Sequence, residues 1–469
     1  MTPVVRVAPA RWRETCAAAI ADGGRLCGLF ADGSGPTGAL GAAVAAPDGD
    51  RLLLTEPRGG IVDSVVELAP AVGWDEREAH DVHGVRFVGH VPLRPLVDHP
   101  SPVDAWAARV AGRDVHQVAV GPIHAGVIES GHFRFHVVGE RILHLDVRLF
   151  YKRRGIEAAA VGRPAADAAR LAGGACGACT VANGVAAALA VEQARGLEPD
   201  AELRRARVVL IELERLYNHL NDVGAVCAGV GFAPGASLYA VLKERVHRLC
   251  ARIAGHRFLF GAVAVGGGTV AVDAATARAA RAEVDAIVAE HRAAWRELRF
   301  TPSLRERLVG VGVADRDAVE RLGGVGPAAR AAGVARDARG DSPRLAYGGF
   351  RPILVPGGAG DVAARVEQRA REVEQTAGLL AALLDGRLGP GAATPTAVGS
   401  GIGLARVEGP RGETVCAVRL AGDRIARLWL RTGSYANWQL LAHAAIGELL
   451  PEFPLINKSF ELCYACVDR

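Results

Sequence analysis

Two short stretches hold the residues best suited to chemistry. GGACGACTVANG carries Cys176 and Cys179, and ELCYACVDR, at the far end of the sequence, carries Cys463 and Cys466. Each is a Cys-x-x-Cys hook, which sets two thiols on one side of a turn, close enough to grip one ion. Two hooks make a four-thiolate site. Thiolates are soft, strongly donating ligands that favour zinc, iron–sulfur clusters, nickel and copper over magnesium or calcium. Spacing alone favours zinc. The remaining five cysteines, Cys16, Cys27, Cys227, Cys250 and Cys416, are scattered and read as small core residues.

A second cluster of ligand types, Glu76, Glu78, His80, Asp81 and His83 in WDEREAHDVHG, reads as a solvated helix that ends at Gly84 rather than as a metal site. His124 and His132 read as hydrogen-bonding histidines on a strand.

The elements that must position the hooks follow from periodicity. Residues 1 to about 112 form a small α/β unit. RLCGLFADG and LGAAVAAPDGDRLLLTEP are short strands, the latter turning at Pro-Asp-Gly-Asp. VDSVVELAP and WDEREAHDVHG are short helices, and the Pro-rich VRFVGHVPLRPLVDHPSPVDAW is an extended arm or linker. Beyond Gln117 two strands turn at Gly139-Glu140, a two-residue hairpin. TVANGVAAALAVEQ, nearly all apolar, is a buried helix, so Cys179 sits at its N-terminus, where the helix dipole favours a thiolate.

Long helices dominate the middle: Leu203 to Val226, a face marked by Val284, Ile287, Val288, His291, Trp295 and Leu298, and a helix capped by Asp361. They predict a bundle at the centre of the large domain. GGVGPAARAAGVARDARGDSPRLAY is a loop region. A second hairpin turns at Gly422-Asp423, and NWQLLAHAAIGELL is a last helix stopped by Pro451.

With 469 residues, half of them hydrophobic, the chain is globular and holds two or three domains. A net charge of +4 and the absence of any Lys/Arg block argue against nucleic acid as a partner. The N-terminal MTPVVRVAPARWRETC has no apolar core of signal-peptide length, which predicts a cytoplasmic, reduced protein whose paired cysteines are metal ligands or redox groups. The most apolar run, from Phe258, falls short of the roughly 20 residues a bilayer span needs.

Seven motifs in order carry a family resemblance: WDEREAHDVHGVRFVGH, GPIHAGVIESGHFRF, YKRRGIE, ELERLYNHLNDVG, GPAARAAGVARDAR, EGPRGE and CYACVDR. The chain resembles the large, catalytic subunit of membrane-bound [NiFe] hydrogenases of the formate-hydrogenlyase type, relatives of the 30-kDa and 49-kDa subunits of respiratory complex I. The resemblance implies an α+β fold: a 30-kDa-like domain with its Pro-rich linker over 1–112, and a helical-bundle-centred 49-kDa-like catalytic domain over 113–469. It implies a nickel–iron centre whose iron carries cyanide and carbon monoxide. Cys176 and Cys463 would bind nickel terminally, and Cys179 and Cys466 would bridge nickel and iron. Glu157 would move protons to and from a nickel-bound thiolate, and Arg411 would hang over the iron side.

The sequence has no cysteine cluster for an iron–sulfur wire of its own, so electrons would leave through an iron–sulfur small subunit. Membrane ion-translocating subunits would hold the assembly on the inner face of the cell membrane. A maturation protease would trim a C-terminal extension, where one exists, just after the second hook.

The sequence departs from the family pattern at Gly174, usually Arg; at Asn183, usually His; at Glu461-Leu462, usually Asp-Pro; and at Gly229, where relatives tend to carry Asp. Such changes around a metal cost about tenfold to a hundredfold in affinity or activity. Two other readings therefore stand beside the hydrogenase. One is a complex-I-like, NADH-quinone-oxidoreductase-type subunit whose cavity holds quinone and no metal. The other is a non-catalytic scaffold that couples a redox arm to an ion pump.

Overall fold

A computed structural model describes residues 3–33, 38–101, 103–124, 128–341 and 344–469. The chain begins with β1 (Val4–Arg6), α1 (Trp12–Ala21), β2 (Arg25–Asp32), β3 (Ala39–Ala46) and β4 (Gly49–Thr55). The sheet order is β1-β4-β3-β2, with β1 parallel to β4 and the other pairs antiparallel. β5 (Ile61–Asp63) and β6 (Arg86–Val88) pair in parallel on either side of α2 (Gly73–His83).

One face of the four-stranded sheet packs on α1 and α2 around Trp12, Leu29 and Leu53. The other face meets the large domain, with Cys27, Phe30 and Leu52 against Leu404, Val415 and Trp429. β2 is thus buried on both faces, which is why RLCGLFAD is continuously apolar rather than alternating. Buried ion pairs lock the junction: Arg431 to Asp75 at 3.2 Å, Arg25 to Glu413 at 2.9 Å and Arg406 to Asp50 at 2.8 Å.

The large domain opens with the antiparallel sheet β7 (His116–Val120), β8 (His132–Val138) and β9 (Arg141–Arg148). Then follow α3 (Ile156–Ala160), α4 (Ala168–Gly173), α5 (Thr180–Arg195), β10 (Leu197–Pro199), α6 (Ala201–Gly229), α7 (Ala233–Ala254) and α8 (Ala274–Leu298). Four short helices, α9 (Pro302–Leu308), α10 (Arg316–Arg321), α11 (Gly326–Ala331) and α12 (Ala338–Asp341), lead to α13 (Val362–Leu383). The chain finishes with β11 (Ala393–Pro395), β12 (Ile402–Gly409), β13 (Gly412–Ala421), β14 (Arg424–Arg431), α14 (Gly433–Ala444), α15 (Phe453–Phe460) and α16 (Ala465–Asp468).

α6 is the spine, 29 residues and so about 43 Å long, with α7, α13 and α15 packed on it. Asp200, Asp273 and Asp361 cap α6, α8 and α13, each accepting a backbone N–H at 2.7 Å. α5 is buried over nearly its whole length between α4 and the β12–β13 hairpin. Its small residues permit that: a Cβ on Gly403 of β12 would lie 1.9 Å from the Ala190 carbonyl. The expected α+β architecture with a helical centre, both hairpins and the Asp361 cap are all present.

Four expectations are corrected. VDSVVELAP is not a helix; it forms β5 and turns, because Ile61–Asp63 finds a partner in β6. WDEREAHDVHG is a helix closed by Gly84 in the left-handed conformation, yet it is not solvated, since Trp74, Asp75 and Glu76 are buried against the large domain and the Pro-rich arm. The segment from Gly323 to Tyr347 is not an ordinary charged loop. Its Arg330, Asp337 and Arg339 are buried and pair with Glu212, Glu372 and Glu408. The last predicted helix stops at Ala444, well before Pro451, and a turn through Gly447 follows.

Candidate metal centre

The first hook is placed by local structure. Cys176 follows the turn that closes α4, and Cys179 is the N-cap of α5. One face of α6 grips the hook. Tyr217 Oη donates to the Gly177 carbonyl at 3.2 Å and Asn218 Nδ2 to the Ala178 carbonyl at 2.7 Å. The Glu214 carboxyl accepts the N–H groups of Val181 and Ala182 at 2.7 and 3.0 Å, which satisfies the open first turn of α5.

The second hook spans the break between α15 and α16. Glu461 makes the break in a left-handed conformation, φ 50°, unusual for a residue other than glycine. Cys463 N donates to Ser434 Oγ at 3.0 Å, and Ala465 N donates to Glu129 at 2.7 Å.

All four sulfurs converge. Cys176 Sγ lies 3.2 Å from Cys463 Sγ, and the sulfurs of Cys176, Cys179 and Cys466 lie within 4.8 Å of one another. The sulfurs of Cys176, Cys179 and Cys466 form one compact group and Cys463 Sγ touches Cys176 Sγ, a donor set whose chemistry suits a soft, thiolate-held metal. Three are buried and Cys463 is half-buried. Hydrogen bonds from the other three thiols hold Cys176 well below the usual thiol range, and the same bonds push Cys179, Cys463 and Cys466 up. One thiolate, on Cys176, is thus favoured, with the other three thiols donating to it. Among the described residues no other group of three His, Cys, Asp or Glu side chains comes this close.

Arg411 stands in the turn between β12 and β13 and is buried beside the cluster. Its Nε donates to the Glu461 carbonyl at 2.9 Å, one Nη to Asn218 Oδ1, and the other meets Asp222 at 3.1 Å. Arg369 takes the second oxygen of Asp222 at 3.0 Å. Burial alone would raise the Asp222 carboxyl, but the two guanidiniums hold it below the usual range. Glu461 is pushed up by burial and by Asp222.

Glu157, in the first turn of α3, accepts from Leu430 N at 2.8 Å and Arg469 Nε at 2.7 Å, and pairs with Arg427 at 3.1 Å. Its partners come from β14 and the tail, not from the neighbouring Arg153 or Arg154. Burial would raise its carboxyl, but Arg469 and Arg427 outweigh that and hold it below the usual range. Its bonds among the described residues reach no hook sulfur. It lines a cavity of about 410 Å³ between the two domains, along with Glu78 and His83.

Gly174 ends α4, and Leu462 is buried beside the second hook. Asn183 is buried, with its Oδ1 accepting from Thr414 at 3.3 Å. His124 and His132 each bond a backbone carbonyl, of Gly131 and Gly121. Sequence reasoning missed Arg154, Glu214, Tyr217, Asn218 and Ser434. A signal existed for three of them: Glu214, Tyr217 and Asn218 stand at i, i+3 and i+4 and so share one face of α6.

Comparison with known proteins follows the same lines. The family described as "Respiratory-chain NADH dehydrogenase, 49 Kd subunit" matches residues 230–394, and "Respiratory-chain NADH dehydrogenase, 30 Kd subunit" matches residues 50–106. Hydrogenase-4 component G of Escherichia coli is 31% identical over 87% of this chain and 75% of its own length. Formate hydrogenlyase subunit 5 of the same organism is 30% identical over 87% and 76%.

The chain belongs to the family of formate-hydrogenlyase-type, membrane-bound hydrogenase large subunits, with fused domains like the complex I 30-kDa and 49-kDa subunits. The solved structure of the membrane-bound sulfane sulfur reductase, an archaeal respiratory membrane complex, shares the fold with a TM-score of 0.70 at 24% identity, covering 77% of this chain and all of that one. No helix among the described residues is long and apolar enough to cross a membrane.

Proposed function

We propose that this chain is the catalytic large subunit of a membrane-associated [NiFe] hydrogenase, interconverting dihydrogen with two protons and two electrons. The observation that carries the reading is the convergence of four sulfurs from two hooks at opposite ends of the large domain, taken as residues 113–469. Cys176, Cys179, Cys463 and Cys466 would hold the nickel–iron centre. A nickel–iron centre with cyanide and carbon monoxide on iron supplies Lewis-acid and redox chemistry when bound.

The chain's own residues do the rest. A hook thiolate is the base that takes the proton at sulfur. Glu157, held by Arg427 and Arg469 at the edge of the cavity it lines, would serve as a relay station between the cluster and that cavity. Arg411, always charged and fixed by Asn218, Asp222 and the Glu461 carbonyl, sets a positive charge beside the hook sulfurs and would face the metal's ligands. Electrons leave through an iron–sulfur partner subunit, and membrane ion-translocating subunits hold the assembly on the inner face of the cell membrane. A maturation protease acts on any extension beyond the second hook.

One observation favours a second reading. Asn183 and Gly174 stand where hydrogenase relatives carry His and Arg, and both family matches are to complex I subunits. On that reading the cavity takes quinone.

Metal analysis of the purified native complex decides. About one nickel per chain together with dye-linked hydrogen uptake supports the hydrogenase. A complex with no nickel that reduces quinone replaces it with the second reading.

A further inference from the structure

Two hooks from distant parts of a chain must be brought to a fixed separation before four sulfurs can share a metal. One tie between them is a relay of two side chains: Asn218 holds the Ala178 carbonyl, accepts from Arg411, and Arg411 holds the Glu461 carbonyl. On another side of the sulfurs a single residue spans both hooks. We propose that Arg154 is a positioning residue that sets the separation of the two hooks, one guanidinium bonding the carbonyl before Cys176 and the carbonyl before Cys466.

Arg154 follows β9 and precedes α3, in a stretch whose backbone is sewn to the tail. Arg154 N donates to the Asp468 carbonyl at 3.0 Å, and Lys152 N to Asp468 Oδ2 at 3.2 Å. From that anchor the side chain reaches across. Nη2 donates to the Ala175 carbonyl and, at 2.8 Å, to the Ala465 carbonyl, while Nη1 lies 3.4 Å from the Gly174 carbonyl.

Gly174 and Ala175 carry carbonyls left open where α4 ends, and these need donors from elsewhere. A guanidinium meets the need because its planar fork presents several N–H groups at fixed angles, whereas a lysine offers one compact ammonium. No salt bridge to a carboxylate draws Arg154 away: among the described residues its hydrogen bonds all go to backbone carbonyls of the two hook segments. No other described side chain donates to both segments. The inference rests on the geometry of the hooks, not on which metal they hold.

The test reads sulfur proximity directly. The full-length chain, produced without nickel, is treated with dibromobimane, which bridges neighbouring thiols, and the bridged peptides are mapped by mass spectrometry. Wild type should give the Cys176–Cys463 bridge, whose sulfurs lie 3.2 Å apart. Arg154→Ala and Arg154→Lys should each lower its yield at least fivefold while circular dichroism and the melting transition stay close to wild type. Free guanidinium ion should restore bridging in Arg154→Ala, and Arg153→Ala should behave as wild type. Bridging at the wild-type level in both Arg154 variants overturns the proposal, as does a loss that guanidinium does not restore. If Arg154→Ala does not fold, Arg154→Lys decides alone. A wild-type chain that bridges but takes up no nickel defeats the hydrogenase reading and leaves this one standing.

Discussion

Cys176 and Cys179 stand at the start of a 16-residue helix that is buried on every side, and three consecutive contacts from α6 hold the peptides around them. Cys463 and Cys466 sit in a tail where two short helices meet. Their backbone is held by Ser434, Glu129 and Arg154, side chains from three distant segments. The two hooks share a sequence pattern and differ in what fixes them. The first is part of the core and must unfold α5 to move. The second is docked: those hydrogen bonds, the ion pairs of Arg469 with Glu157 and Glu78, and the burial of Cys466 and Val467 hold it in place. A site assembled this way has one jaw built into a core helix and one docked against it.

The comparison breaks most visibly at the sulfurs. Cys176→Ala and Cys463→Ala should both abolish nickel binding and hydrogen uptake, measured by elemental analysis and a dye-linked assay. If only one did, the two jaws would not hold the same ion. Arg411→Lys, which removes the fork joining Asn218, Asp222 and the second hook, should lower hydrogen uptake about a hundredfold at unchanged nickel content. Equal activity would remove Arg411 from the pocket.

The hooks should also answer pH with opposite signs, read by amide hydrogen exchange of nickel-free chain. Burial pushes the Glu214 carboxyl up to about 8, with the charge on Cys176 adding to it, although the N–H groups of Val181 and Ala182 oppose the shift. The folded state therefore holds this proton more tightly than the unfolded state, and its contribution to stability falls as pH rises from the usual carboxylate range to about 8. Protection of the α5 amides should drop over that window in wild type and stay level in Glu214→Gln.

Glu157 is the reverse case. Its folded value lies below the usual range, so its tie to Arg469 is fully present at neutral pH. That tie fades as acid takes the pH below about 4.3 and on through the folded value. The tail should loosen in acid before α5 does, and a tail that outlasts α5 would reverse the assignment of core and docked jaws.

The smallest effect belongs to Ser434→Ala. It removes one acceptor from Cys463 N and should cost about 1 kcal/mol, seen as faster exchange confined to the tail.

Much of this was legible in the residues. The four candidate thiols, the helix behind Cys179, both hairpins and the Asp361 cap all follow from spacing and capping preferences that act over a few positions. The misreadings share one cause. VDSVVELAP gained a strand partner in β6, WDEREAHDVHG was covered by the other domain, and the charges of Gly323 to Tyr347 were drawn inside by Glu212, Glu372 and Glu408. Each depended on a partner distant in the chain. A buried charge costs several kcal/mol unless an opposite charge meets it, and a local window does not reveal whether one will.

The sequence by itself determined which atoms can ligate, that they come in pairs, and that one pair opens a buried helix, because those properties belong to residue type and short-range spacing. Only the tertiary structure decided that the pairs face each other, that Glu157 is met by Arg427 and Arg469, and that Arg154 reaches both hooks. Those outcomes arise when α6, the β12–β13 hairpin and the tail pack together, and contacts between distant segments exist only once the whole domain has closed around them.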